Sequence, residues 1–245
     1  MKSFYCGIAI FCLSILSFSQ KKVSFQAADG LEITADLYEL NETNPYVLLF
    51  HQNGSSRGEF HEIAGRVTKF GYNCLAVDLR SGKEESYVQN ETARRAEELA
   101  VSNDLSDCKK DIEAAIAYAY EKSGKNVVLF GSSFSASLSL IIGKDHPNVE
   151  AVIAFSPGEF FSSDFNVREQ LDDYQKPVFA AGMKREEPYL ADLLALVPDD
   201  KKTIFVPESD EGGYGAKALW ESNSSSFEYW LGLLMFFKSI APPEG

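Results

Sequence analysis

Histidine is scarce in this chain of 245 residues. Only His51, His61 and His146 are present, and none follows position 146. Of the four cysteines, Cys6 and Cys12 fall in the first twelve residues, leaving Cys74 and Cys108. Two cysteines make no disulfide framework, and neither sits in a cluster with histidine, so buried free thiols are expected and no metal or other cofactor is. Positive charge is also short, with 23 Lys and Arg against 36 Asp and Glu and a formal net charge of −13. That balance excludes nucleic acid as a partner. No Gly-x-x-x-x-Gly-Lys-Ser/Thr phosphate cradle, internal repeat or low-complexity tract occurs. One long hydrophobic run exists, Phe4–Phe18, and its 15 residues fall short of a bilayer span of about 20. Lys2 precedes it and Gln20-Lys21-Lys22 follows. Residues 1–19 therefore read as a signal peptide, and residues 20–245 as one exported domain, periplasmic or extracellular, without stable membrane insertion.

The remaining chain has a simple pattern. Lys22–Ala28 and Leu31–Leu40 alternate around Asp29-Gly30, a dipeptide suited to a tight hairpin turn. From Tyr46 onward come uninterrupted apolar strands at Tyr46–Phe50, Cys74–Val77, Val127–Phe130, Val149–Phe155, Pro177–Ala181 and Thr203–Val206. Helical stretches separate or follow them at Glu59–Phe70, Glu91–Val101, Leu105–Lys122, Ser135–Lys144, Pro188–Leu196 and Phe227–Ile240. Apolar strands alternating with helices predict an α/β fold, a mostly parallel sheet with helices on both faces and an antiparallel N-terminal hairpin. Pro157–Lys176 is too short for a large lid, so an open site is expected.

Val127–Phe130 followed by Gly131-Ser132-Ser133-Phe134-Ser135 reads as a buried strand bending sharply into a helix, with Ser133 at the apex. Ser132 is the competing nucleophile one residue earlier. The Phe134 amide at the helix start would be one oxyanion donor, and the backbone of Asn53 or Gln52 the second. Ser135 stands where glycine is usual, a small residue for a small residue.

These motifs resemble the α/β-hydrolase superfamily, in particular small exported dienelactone-hydrolase-like and esterase-like members. The resemblance rests on His51-Gln52-Asn53-Gly54-Ser55-Ser56-Arg57-Gly58-Glu59, Asp78-Leu79-Arg80-Ser81-Gly82, the Ser133 bend, Ser156-Pro157-Gly158-Glu159 and Ala218-Leu219-Trp220. It implies the chain order nucleophile, acid, histidine, acting on a carboxylic ester through an acyl-enzyme. Glu186, with Glu187 in reserve, takes the acid position, one residue later than the family's Gly-x-x-Asp spacing. At the histidine position stands Tyr214, between Gly213 and Gly215. A phenol of pKa about 10 is no ready base at neutral pH, and Asp210 and Glu211 would raise it further. His51 is the candidate substitute base, or else a shaper of the oxyanion loop. Arg57 and Arg80 follow parallel strands, and in a pocket they would favour an anionic substrate. Two functions follow: a serine hydrolase of small-molecule esters with weakened base catalysis, or a degenerate hydrolase binding a ligand or partner.

Overall fold

The computed structural model describes residues 20–161 and 165–240; the expected signal peptide lies outside them. The strands are β1 (Gln20–Gln26), β2 (Glu32–Tyr38), β3 (Tyr46–Phe50), β4 (Asn73–Val77), β5 (Glu84–Glu85), β6 (Val88–Gln89), β7 (Val127–Ser132), β8 (Val149–Phe155), β9 (Val178–Ala181) and β10 (Lys202–Phe205). Eight of them form one sheet in the order β1-β2-β4-β3-β7-β8-β9-β10. β1 and β2 pair antiparallel across the Asp29-Gly30 turn, where Gly30 has φ +82°, and β2 pairs antiparallel with β4. Along the rest of this sheet, β4-β3-β7-β8-β9-β10, every pairing is parallel.

The helices are α1 (Ala64–Val67), α2 (Glu91–Glu98), α3 (Cys108–Ser123), α4 (Phe134–Asp145), α5 (Glu187–Leu193) and α6 (Ser226–Ile240). Alternate residues of each central strand enter separate cores. Leu48, Phe50, Leu129 and Val152 pack with Ile112 and Ile116 of α3 and Leu138 of α4. Val47, Leu49, Val128, Phe130 and Phe155 pack with Ala64 and Val67 of α1 and Leu233 and Phe237 of α6. A strand buried on both faces has no polar alternation, which is why these segments are continuously apolar.

Two local expectations differ from the structure. Glu59–Phe70 is not one helix but a 3₁₀ turn at Arg57–Phe60, the short α1, and a second 3₁₀ turn at Thr68–Phe70. Arg57, Gly58, Glu59 and Phe60 are all buried, and four consecutive inward residues cannot share one face of an α-helix. The β5–β6 hairpin was not predicted, because its turn residues Ser86 and Tyr87 take φ of +51° and +63° without glycine or asparagine to signal it.

Cys74 and Cys108 are buried free thiols, as expected, and burial pushes both thiols up. Arg57 and Arg80 do not line a pocket. Arg57 is bound by Asp36, Asp78 and Glu91, and Arg80 by Asp29 and Asp111. Each arginine joins the N-terminal hairpin to a helix, Arg57 reaching α2 and Arg80 reaching α3. The condition on which they would favour an anionic substrate, that they face a pocket, is therefore not met.

Candidate active site

The loops that carry Gln52-Asn53, Ser133, Glu186 and Tyr214 lie at the carboxyl ends of β3, β7, β9 and β10, the edge where open parallel sheets bind ligands. At the end of β7, Ser133 has φ +61° and ψ −125°, a conformation that L-residues rarely adopt and that surrounding structure must hold. Gly131 permits the bend: a Cβ there would lie 2.4 Å from backbone atoms of Ser135 and Ala136. Ser135 does more than fit. Its hydroxyl accepts from Ser132 N at 2.9 Å and donates to Phe50 O at 2.7 Å, fastening the bend to β3. The Ser133 amide donates to Phe155 O of β8 at 2.8 Å.

Ser133 Oγ lies 2.7 Å from Tyr214 Oη. Tyr214, singled out by the register of Gly213, Gly215 and Ala218-Leu219-Trp220, thus meets Ser133. Burial, then the charges of Glu186 and Glu59, push its phenol above the ordinary value, while the Ser133 hydrogen bond opposes them. The direction agrees with the sequence expectation, but the carboxylates responsible are not Asp210 and Glu211. At neutral pH Tyr214 is a phenol.

Glu186 Oε2 accepts from Ser156 Oγ and from Met183 N, both at 2.8 Å. Ser156 Oγ in turn accepts from Gly215 N at 3.1 Å. The acid therefore reaches the Tyr214 loop through a serine hydroxyl rather than by direct contact. Glu187 is exposed at the start of α5.

His51 is not placed to serve Ser133. Its Nδ1 lies 2.8 Å from Gln52 O, and its Nε2 accepts from Leu79 N at 3.0 Å, which fixes the tautomer protonated on Nδ1. Full burial lowers its pKa to about 4, so it is neutral and shapes the loop. His61 bonds Gly58 O and stacks edge-on against Trp220, while His146 ends α4 far from the bend.

The oxyanion assignments separate. Phe134 opens α4, so its amide is among those without an intrahelical partner. Gln52 N donates to Glu59 Oε2 at 2.8 Å and is not available. The Asn53 N–H, by contrast, has no partner among the described residues.

Glu59 is the residue that sequence reasoning passed over. It is fully buried, and its Oε1 accepts from Ser132 Oγ at 2.6 Å. Burial pushes this carboxyl up to about 7, opposed by the Ser132 and Gln52 hydrogen bonds and by Lys217. Its place in the His51–Glu59 motif was visible, but a glutamate beside Gly58 and Phe60 carries no signal of burial. Ser156 was likewise visible only as part of Ser156-Pro157-Gly158-Glu159. Among the described residues no group of three or more His, Cys, Asp or Glu could hold a metal.

A mostly parallel sheet with an antiparallel start, and a strained serine between β7 and α4, define an α/β-hydrolase. A sequence model of the dienelactone hydrolase family matches residues 33–196, and the chain belongs to that family. Solved structures share its fold at low identity. An esterase of Pyrococcus furiosus is 16% identical with a TM-score of 0.69, the match covering 96% of this chain and 98% of that one. A dienelactone hydrolase of Anabaena variabilis is 17% identical with a TM-score of 0.68, covering 91% and 98%. The esterase domain of a Rhodothermus marinus protein is 16% identical with a TM-score of 0.60, covering 89% and 98%.

Proposed function

We propose that this protein is an exported serine hydrolase that cleaves small, uncharged carboxylic esters through an acyl-enzyme at Ser133, with Tyr214 in the role usually held by histidine. The observation that carries it is the 2.7 Å contact between Ser133 Oγ and Tyr214 Oη, at a serine held in a strained bend beside a helix start. Ser133 Oγ attacks the ester carbonyl carbon while its proton passes to the Tyr214 phenolate. The resulting oxyanion is met by the Phe134 and Asn53 amides. Collapse breaks the bond to the alcohol oxygen, which takes the proton back from Tyr214. Water then attacks the acyl-enzyme by the same route and releases the acid.

Because the phenol is raised, only a small fraction is ionised at neutral pH, so turnover is slow there. Glu186 acts on Tyr214 by fixing Ser156 and, through it, Gly215 N. Arg57 and Arg80 are consumed in buried ion pairs and Lys217 is paired with Glu85, which favours uncharged substrates over anions. The same un-ionised phenol supports a second reading, a degenerate hydrolase that binds an ester-like ligand without turning it over.

Labelling of residues 20–245 by a fluorophosphonate, read by intact mass and peptide mapping, tests the choice. A single adduct on Ser133 that Ser133→Ala abolishes is expected. No adduct at pH 9, where the phenolate fraction is much larger, would leave the binding reading.

A further inference from the structure

We propose that Glu59 is a positioning residue of the Ser133 site, its buried carboxyl holding the oxyanion loop and the Tyr214 loop in register with the bend. The proposal rests on Ser133 being the nucleophile.

Two chain segments bond this side chain directly, and a third is tied to it through Ser132. Oε2 accepts the Gln52 amide at 2.8 Å, which commits that N–H to the interior, while the amide of Asn53 has no partner among the described residues. Oε1 accepts the hydroxyl of Ser132 at 2.6 Å, on the residue immediately before the nucleophile. Ser132 Oγ also accepts Ala216 N at 2.9 Å, two residues beyond Tyr214. The backbone of Glu59 adds a fourth tie, its carbonyl accepting Trp220 Nε1 at 2.8 Å. Packing at the crossing is tight: a Cβ on Gly215 would lie 2.5 Å from Ser132 Oγ and 3.1 Å from Gln52 Oε1. A buried carboxylate could satisfy a single backbone amide at far lower desolvation cost on the surface. Its location here couples the oxyanion donor, the nucleophile and Tyr214.

The arrangement depends on the charge of Glu59. As a carboxylate it accepts both donors. Once protonated, Oε1 donates to Ser132 Oγ, and the Ser132 hydrogen loses its acceptor. The charged and titratable groups around it are Lys217, which lowers its pKa and is itself bound to Glu85, and Tyr214, whose phenol Glu59 raises. His51 and His61 lie on the same loop and 3₁₀ turn, one neutral and the other bonded to Gly58 O. Since burial sets the Glu59 carboxyl at about 7, the change of state falls in the neutral range.

The test is the pH dependence of fluorophosphonate labelling of Ser133, pH 5 to 9, in the wild type and in Glu59→Gln, an isosteric variant. The logarithm of the wild-type rate is expected to rise with unit slope above about pH 7.5, from Tyr214, and to steepen toward a slope of two below about pH 7. Glu59→Gln is expected to label about tenfold more slowly at pH 8, with unit slope throughout. Ser132→Ala, which removes the link between Glu59 and Ala216 without touching the carboxyl, should also slow labelling. Glu59 raises the Tyr214 phenol, so a role limited to its charge would make Glu59→Gln faster. Equal or faster labelling by Glu59→Gln, or retention of the steep limb below pH 7, would overturn the proposal. Absence of wild-type labelling would instead count against Ser133 as nucleophile, and a thermal melt of each variant separates misfolding from mispositioning.

Discussion

Replacing the base of a serine hydrolase by a phenol makes a quantitative prediction about alkaline pH. Tyr214 touches Ser133 at 2.7 Å, and burial with the charges of Glu186 and Glu59 raises its pKa above the ordinary 10. Below that pKa the phenolate fraction grows tenfold for each pH unit, from at most about 10⁻³ at pH 7. Hydrolysis through a Tyr214 phenolate should therefore rise about 10³-fold between pH 7 and 10 with no plateau. The assay is steady-state hydrolysis of p-nitrophenyl butyrate. Hydroxide attacks this ester with the same slope, so the Ser133→Ala rate is subtracted at each pH. Tyr214→Phe removes the acceptor while keeping the ring, and the enzyme-dependent rate at pH 9 should fall by about 10² or more. A wild-type profile that levels off around pH 7 would reveal an imidazole at work. A Tyr214→Phe profile that keeps the slope would remove Tyr214 from the reaction.

Other substitutions test separate parts of the account. Tyr214→His exchanges a base that is almost wholly protonated at pH 7 for one largely unprotonated, a gain of roughly 10³ that weaker basicity partly offsets. The net expectation is roughly tenfold faster ester hydrolysis at pH 7, and no gain would mean that the loop does not present an imidazole to Ser133. Gly131→Ala places a Cβ 2.4 Å from the backbone of Ser135 and Ala136, so α4 must shift. A loss of about 3 kcal/mol is expected, readable as a lowered urea midpoint, and an unchanged midpoint would refute the close approach. His51 and Glu59 impose opposite pH dependences on stability. Burial lowers His51 from 6.5 to about 4, so its contribution of about 3 kcal/mol is present above pH 6.5 and lost as pH falls to 4. Glu59, raised from 4.5 to about 7, contributes a similar amount that is present below pH 4.5 and lost as pH rises to 7. In the wild type the two nearly offset between pH 4.5 and 6.5. In that window, urea stability of His51→Gln should increase as pH falls and that of Glu59→Gln should decrease; parallel slopes would contradict the assignments.

The sheet was legible because burial on both faces leaves a mark in its central strands. Six continuous apolar segments became the six strands β3, β4 and β7 to β10, and Asp29-Gly30 marked the hairpin. That the loops of Ser133, Glu186 and Tyr214 would share one edge of the sheet was legible through spacing and glycine context, since a strained bend or tight loop restricts the residues around it. The directions of the Arg57, Arg80 and His51 side chains were left open for a common reason. Each follows a parallel strand at the active edge, yet which way a polar side chain points depends on partners far along the chain. Asp111 lies 31 residues from Arg80, and Leu79 N lies 28 from His51 Nε2. Glu59 and Ser156 went unrecognised because their roles exist only once four loops are assembled. The 3₁₀ turn at Arg57–Phe60 belongs with them, because it is the inward pull on Arg57 and Glu59 that breaks the helix.

The central claim is that Ser133 carries the acyl group, and steady-state hydrolysis of a short p-nitrophenyl ester at pH 9 tests it most directly, with Ser133→Ala prepared identically. The account predicts slow, saturable turnover by the wild type, a burst of p-nitrophenol where deacylation lags, and neither in Ser133→Ala. Equal rates in the two proteins would contradict it and leave a dienelactone hydrolase relative that binds its ligand without cleaving it.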